Sequence, residues 1–344
     1  QAFSSVALSP NGQLMAVATA EGQIDIRRIQ ADQSNVLVHR IQNWRSGIAP
    51  DAVLSEVLPP AEVPPSETNP ELPRTESIAP EDSLSFTASP LRANREPIAI
   101  RQLVFSPNSR LLMAIANDFT VRLWDVESGE LLHALRGHEA TVQQAQFSPN
   151  GEWVVSASWD RSVRVWQVET GKLVKSFAHP DAVNSASFSP DSQQLVTAGW
   201  DGIARVFKVS SEEQQLVLAE HQQAVMDASF SPDGQRIVTA GADGTAYIWE
   251  GRTGAVEAEL RLHRPNTQLE PMPLLQASFS PDGQYVATLT KDGRVHLWAA
   301  TWEMLLKLSR DRSLRQLTPD ECSRYLKLPP NDCPMLSLGR EQSP

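Results

Sequence analysis

The stretch GHEATVQQAQFSPNGEWVVSASWDRSVRVWQ, residues 137–167, decides how the chain folds. It holds three short runs rich in valine and aromatics: Val142–Phe147, Trp153–Ser158 and Val163–Trp166. Each run is bounded by turn residues, the pattern of adjacent strands in an antiparallel sheet. The first break is Ser148-Pro149-Asn150-Gly151. Its proline presets φ and its Asn-Gly pair tolerates a positive φ, so a tight hairpin forms at little cost. Trp159-Asp160-Arg161-Ser162 makes a second short turn. Three such strands alone leave raw edges and an uncovered apolar face. The unit requires neighbours.

The chain supplies them at regular intervals. Ser-Pro turns recur at Pro10, Pro107, Pro149, Pro190, Pro232 and Pro281, with gaps of 97, 42, 41, 42 and 49 residues. A period near 42 matches a four-stranded propeller blade of roughly 40–45 residues, and the two odd gaps are one period plus an insertion. A second spacing agrees. His138 to Asp160, His179 to Asp201 and His221 to Asp243 are each 22 residues apart, and His263 to Asp292 is 29. A third runs from Asp to an aromatic six residues on: Asp118/Trp124, Asp160/Trp166, Asp201/Phe207, Asp243/Trp249 and Asp292/Trp298. This is a repeat protein.

Gly137-His138, the Ser-Pro-Asn/Asp-Gly hairpins, the turn aspartates and Trp124-Asp125 together resemble the WD-repeat β-propeller family. The resemblance covers residues 1–48 and 98–308 and is degenerate in detail. Trp166 is followed by Gln, Trp249 by Glu and Trp298 by Ala, while Phe207 replaces a tryptophan. The first repeat carries Glu21 and Arg27 where Asp and Trp belong. The resemblance implies an all-β propeller of four-stranded antiparallel blades. Six repeats are visible, compatible with a ring of six or of seven.

Taken in order, residues 1–46 read as the first blade, 47–97 as an insertion, 98–308 as blades two to six, and 309–344 as a tail. The insertion carries ten prolines and nine acidic residues against three arginines. Such a composition cannot bury enough to offset its ordering entropy, so it reads as a disordered, extended loop between two blades. Residues 264–271 lengthen the approach to blade six, whose fourth strand is expected at Met304–Leu308. In the tail, a short helix is expected at Thr318–Leu326, with Thr318 as N-cap. Leu317-Thr318-Pro319-Asp320-Glu321, Tyr325-Leu326 and Cys333-Pro334 resemble the closing segment of bacterial multidomain WD-repeat signalling proteins. That resemblance, with Gln1 opening directly on a blade strand, implies an effector domain upstream and a sensor or recognition role for the propeller.

Charge and composition exclude several functions. A net charge of −11 argues against nucleic acid and against an anionic membrane, both of which need basic faces. No apolar run approaches a membrane span, and no signal segment opens the chain. The expected location is cytoplasmic. Cys322 and Cys333 lack histidine neighbours, so they make no zinc site and read as free thiols. No phosphate-cradling Gly-Lys-Ser/Thr loop and no His-Glu-x-x-His run occurs, so neither cofactor nor metal is expected.

In this family the repeat His, a strand-two hydroxyl, the turn Asp and the Trp tie each blade by hydrogen bonds, because a buried Asp needs donors. The resemblance carries this role to His138, Ser158, Asp160 and Trp166 in blade three. It also carries it to His179 and Asp201, to His221, Asp243 and Trp249, and to His263, Thr290, Asp292 and Trp298. Blades four and five have Gly199 and Gly241 at the expected hydroxyl position. A His near an Asp and a Ser also describes a hydrolase triad. That reading fails because the set repeats, whereas an activated serine occurs once, beside an oxyanion hole. The functional candidates are surface aromatics instead. Trp159 and Trp200 precede the turn Asp in neighbouring blades, a position the resemblance places on the narrow face around the central opening. Gln143, Asn184 and Met226 flank the first-strand valines nearby. The leading expectation is a non-catalytic platform for other proteins or peptides. The alternative is an enzyme with its site in the central channel.

Overall fold

Twenty-three strands assemble into six antiparallel sheets in the computed structural model, which describes residues 3–19, 22–29, 35–41, 99–261, 272–301 and 304. The chain divides into two units, residues 1–42 with 98–344 and residues 43–97; all described residues belong to the first. The first sheet is β1 (Phe3–Leu8), β2 (Leu14–Thr19), β3 (Ile24–Ile29) and β4 (Asn35–Ile41). The second is β5 (Ile100–Phe105), β6 (Leu111–Ala116), β7 (Val121–Asp125) and β8 (Leu131–Leu135). The third is β9 (Val142–Phe147), β10 (Trp153–Ser158), β11 (Ser162–Gln167) and β12 (Leu173–Ala178). The fourth is β13 (Val183–Phe188), β14 (Gln194–Gly199), β15 (Ala204–Lys208) and β16 (Gln214–Leu218). The fifth is β17 (Val225–Phe230), β18 (Arg236–Gly241), β19 (Thr245–Glu250) and β20 (Val256–Arg261). The sixth has three described strands, β21 (Leu274–Phe279), β22 (Tyr285–Thr290) and β23 (Val295–Ala299).

Within each sheet the strands pair in simple sequence order, so every blade is a meander. Of the expected fourth strand of blade six only Met304 is described, as helical, with its amide donating to Thr301 Oγ1 at 3.2 Å; the rest, 305–308, lies outside the described residues. The insertion 47–97, the loop carrying His263, the expected helix at 318–326 and both cysteines lie outside the described residues.

Each hairpin between first and second strands is built by one serine. Ser9, Ser106, Ser148, Ser189, Ser231 and Ser280 accept the amide five residues on at 2.8–2.9 Å. Each donates its hydroxyl to the Asn or Asp two residues on. The fourth turn residue is left-handed in all six, and four times it is glycine: Gly12, Gly151, Gly234 and Gly283. Ser109 and Ser192 hold the same conformation in blades two and four. Their hydroxyls accept the amides of Asn11 and Asn150 from the preceding blade, a link that glycine cannot make.

The core lies between sheets. Val121, Leu123, Met113, Ile115 and Leu135 of the second sheet pack against Val142, Ala145, Phe147, Val154 and Trp166 of the third. The same pattern joins third to fourth, fourth to fifth and fifth to sixth. Burying each such Val, Leu or Phe contributes about 1.5–3 kcal/mol, so one joint outweighs any single polar bond.

The inner strands are also linked by a polar ladder. The third residue of each receives the amide of the fourth residue of the next. Leu103 donates to Ser5 at 3.1 Å, Ala145 to Gln102 at 3.2 Å and Ala186 to Gln144 at 2.9 Å. Ala228 donates to Ser185 at 3.4 Å, and Ala277 to Asp227 at 3.2 Å. Five joints carry this link. Between the sixth sheet and the first, no hydrogen bond occurs among the described residues.

Candidate functional site

The indole pair sits where two consecutive blades turn from strand two to strand three. Trp159 follows β10 and Trp200 follows β14, and backbone bonds fix both, Trp159 N to Thr141 O at 3.0 Å and Trp200 N to Ala182 O at 2.9 Å. The rings meet edge to face, with centroids 6.0 Å apart and planes at 79°. Asn184 on β13 lies between them. Its Oδ1 accepts from Trp200 Nε1 at 2.6 Å and from Trp159 Nε1 at 3.4 Å. Its Nδ2 donates to Val225 O at 2.8 Å and approaches Met226 Sδ at 3.8 Å. One asparagine therefore staples blades three, four and five. The indoles remain 44% and 48% exposed. Tryptophans held in a fixed orientation but left in water are the raw material of binding anchors, because their apolar area is already preorganised.

The structure thus brings together Trp159, Trp200, Asn184 and Met226. Gln143 occupies the corresponding place on β9, and its Nε2 is buried without a partner. A buried amide donor without an acceptor is uncommon and costs stability.

The blade ties differ from expectation in one respect. In blade three, Trp166 Nε1 donates to Ser156 Oγ at 2.9 Å, Ser156 meets His138 Nε2 at 2.7 Å, and His138 Nδ1 meets Asp160 at 2.7 Å. The carboxylate fixes Nδ1 as the donor, so Nε2 accepts from the serine. The hydroxyl is that of Ser156, not Ser158. Ser158 instead bonds the Ala140 carbonyl and the Asp160 amide. Alternation alone would put both serines on one face of β10; their place along the strand separates them, since Ser156 pairs with Arg164 while Ser158 sits at the bulged end. Blade five repeats the line through Thr239: Trp249 at 2.9 Å, His221 at 2.8 Å, and Asp243 to His221 at 3.1 Å. In blade six Trp298 donates to Thr288 at 2.9 Å, whereas Thr290 donates to Asp292. Gly241 marks why the expected position stays bare there. A Cβ on it would collide with His221 Nδ1 and Asp243 Oδ1.

Blade four is tied another way, so Asp201 is also corrected. Asp201 does not meet His179. It forms a two-bond ion pair with Arg205, at 2.6 and 3.2 Å. His179 Nδ1 donates to Phe177 O at 3.1 Å, and its Nε2 meets Thr197 at 2.9 Å. Blade two makes the same ion pair from Asp118 and Arg122. Burial opposes ionisation of Asp160, but hydrogen bonds from His138 and Ser162 hold its carboxyl well below the usual range. Burial pushes His179 down to about 4. The hydroxyls in these lines, Ser156, Thr197 and Thr239, are fully buried, so none of them is open to a substrate.

Sequence reasoning missed one polar pair on the inner strands. Ser185 donates to Asp227 at 2.7 Å, and burial pushes the Asp227 carboxyl up. The recurrence of Gln102, Gln144 and Gln276 at one strand position was the available signal. Among the described residues no group of three His, Cys, Asp or Glu side chains could hold a metal ion, and no helix is long and apolar enough to cross a membrane.

Comparison with known proteins agrees with this architecture. The family model described as the IFT122 first beta-propeller matches residues 99–273, just over half of the chain. The model described as the WD domain, G-beta repeat, matches residues 272–299. A search of curated proteins finds no match. Propellers of this kind are generally protein-interaction scaffolds and are typically not catalytic. The ladder, the Ser-Pro hairpins and the two matches lead to one assignment: the chain belongs to the family of WD-repeat β-propellers that the IFT122 first beta-propeller model describes.

Proposed function

We propose that this propeller is a non-catalytic docking platform whose primary contact is the narrow face carrying Trp159 and Trp200. The observation that carries the reading is their shared anchor. Asn184 accepts from both indoles and donates to blade five, so two half-exposed aromatic rings are presented at fixed spacing by a three-blade scaffold. Rigid aromatics lose little entropy on binding, and a partner's apolar side chain can insert beside them. Gln143 and Met226 flank this patch. The acidic net charge favours a protein or peptide partner over nucleic acid or a membrane surface. We further place the propeller as the recognition half of a bacterial signalling protein in the cytoplasm, on the strength of the closing-segment resemblance.

The test is peptide-display selection on the purified protein. Peptides retained by the wild type are expected to be lost on Trp200→Ala and on Trp159→Ala, with thermal midpoints nearly unchanged. Retention by the doubly substituted protein overturns the reading. Turnover of any substrate that depends on Asp227 or Ser185 would favour the channel-enzyme alternative.

A further inference from the structure

Two series of residues build the rim that carries the indole pair. The second residue of each first strand sits at a β-bulge, where the pairing of strands one and two skips it: Arg101, Gln143, Asn184, Met226 and Leu275 in blades two to six. A bulge takes a residue out of the ladder and re-aims its side chain. The residue before each turn Asp is held by one repeated backbone bond of 2.9–3.0 Å: Asn117 to Ala99, Trp159 to Thr141, Trp200 to Ala182, Ala242 to Ala224 and Lys291 to Pro273. Asn184 touches both Trp159 and Trp200, so the two series share one face.

These ten positions hold two charges, Arg101 in blade two and Lys291 in blade six, both positive and both exposed. Neither forms an ion pair among the described residues. A third exposed cation, Arg161, stands two residues beyond Trp159 with a φ of 67°, at a place that glycine fills in blades four to six. A charge kept there against backbone strain points to use. The turn aspartates are held by donors of their own blades. Two exposed carboxylates, Glu139 and Asp181, lie outside both series on the loops before β9 and β13, and Asp181 already accepts the Ala182 amide at 2.7 Å. From blade two to blade six the rim therefore reads cation, indole, indole, thioether, cation. Both indole N–H groups already donate to Asn184, so the pair offers apolar ring surface rather than a donor.

We propose that the partner on this face is an acidic peptide segment, with carboxylates toward Arg101 and Lys291 and an apolar residue between them against Trp159, Trp200 and Met226. The inference rests on the docking reading above and adds the sign of the partner's charge. Nucleic acid and anionic lipid need a continuous basic face. Here apolar side chains occupy the blades between the cations, and Glu139 and Asp181 oppose a phosphate backbone. The indoles supply the anchor, while exposed charge pairs chiefly select the partner and speed its capture.

The experiment sequences the display peptides that the wild type retains and Trp200→Ala loses, then measures their affinities against charge variants. The expected result is enrichment in Asp and Glu on either side of an aromatic or aliphatic residue. Affinity is expected to fall about fivefold in Arg101→Glu and in Lys291→Glu at low salt, and by less at high salt. Replacing a peptide glutamate by lysine is expected to restore binding to one reversed variant. Basic or uncharged Trp200-dependent peptides, or affinities that neither reversal moves, overturn the acidic assignment and leave the docking reading standing. A selection without Trp200-dependent peptides overturns both. Capture of a single-stranded DNA oligonucleotide or of phosphatidylserine vesicles through Arg101 and Lys291 also overturns the proposal. Arg101→Gln and Lys291→Gln repeat the measurement without reversing charge; a lowered melting midpoint in these variants marks a structural role and counts against it.

Discussion

Blades three and four are neighbours with the same strands, the same hairpin serine and the same turn aspartate, yet they are held together by different chemistry. Blade three runs a line of hydrogen bonds from an indole through Ser156 and His138 to Asp160. In blade four a phenylalanine stands where the indole would donate, and Arg205 draws Asp201 away from His179. Both blades carry an arginine four residues after the turn Asp, and what differs is the group it meets. Arg164 donates to the Ser162 hydroxyl in blade three, while Arg205 closes on the aspartate. The turn Asp is thus a fixed acceptor for which two donors compete, and the fold accepts either. What it does not accept is an aspartate with no donor at all.

The largest expected effect breaks the comparison on the blade-four side. Asp201→Ala leaves Arg205 largely buried without its partner and is expected to cost about 3–5 kcal/mol. Asp160→Ala removes an acceptor from neutral donors and is expected to cost about 1–3 kcal/mol. Chemical denaturation of the two variants measures the difference; equal losses would mean that the ion pair is not the tie of blade four. Both proteins should retain folded circular dichroism.

The second effect is one of pH. His179 titrates near 4 when folded and near 6.5 when unfolded, so the unfolded chain takes up a proton first as the pH falls. The stability this group contributes is present above about pH 6.5 and is lost by about pH 4, some ~3 kcal/mol at most. Asp160 has a depressed folded value, so its contribution is present through most of that window and is lost as the pH falls from the ordinary carboxylate value toward the depressed one. Melting midpoints from pH 7 to 4 should fall in the wild type and fall less in His179→Gln. A parallel decline in both would remove His179 from the account.

Smaller effects sharpen the contrast. Trp166→Phe gives blade three the aromatic of blade four and removes one donor to Ser156, with an expected cost of about 1 kcal/mol, mostly in unfolding rate or midpoint. Ser192→Gly gives blade four the hairpin of blade three. It relieves a left-handed serine and forfeits the bond from Asn150, two terms of opposite sign, so the net change should lie within about 0.5 kcal/mol. A loss above 1 kcal/mol would assign that inter-blade bond an unexpected weight.

The fold was legible because its signals are local and repeated. A Ser-Pro hairpin and an alternating strand read the same wherever they stand, and six copies average out the degenerate ones. The indole pair was legible for the same reason, since Trp159 and Trp200 occupy one repeat position in adjacent copies. Which hydroxyl joins the His was not, because Ser156 and Ser158 alternate onto the same face and only the bulge at the end of β10 separates them. The Arg205 pair was hidden because it depends on which of two donors wins a contest decided in three dimensions. Asn184's double acceptance could not be read from a chain in which the two indoles are 41 residues apart.

The hairpin serines carry a consequence for anyone scanning such a chain for proline-directed phosphorylation. Eight Ser-Pro dipeptides would be flagged, six of them in these hairpins, yet Ser9, Ser106, Ser148, Ser189 and Ser231 are buried and all six hairpin hydroxyls are spent on a neighbouring Asn or Asp. A phosphate there would press about two negative charges into a closed turn, against a carboxylate in half of the copies. Kinase access is therefore confined to chains that have not yet closed their turns, and a phosphate found at one of these serines dates its addition to before folding.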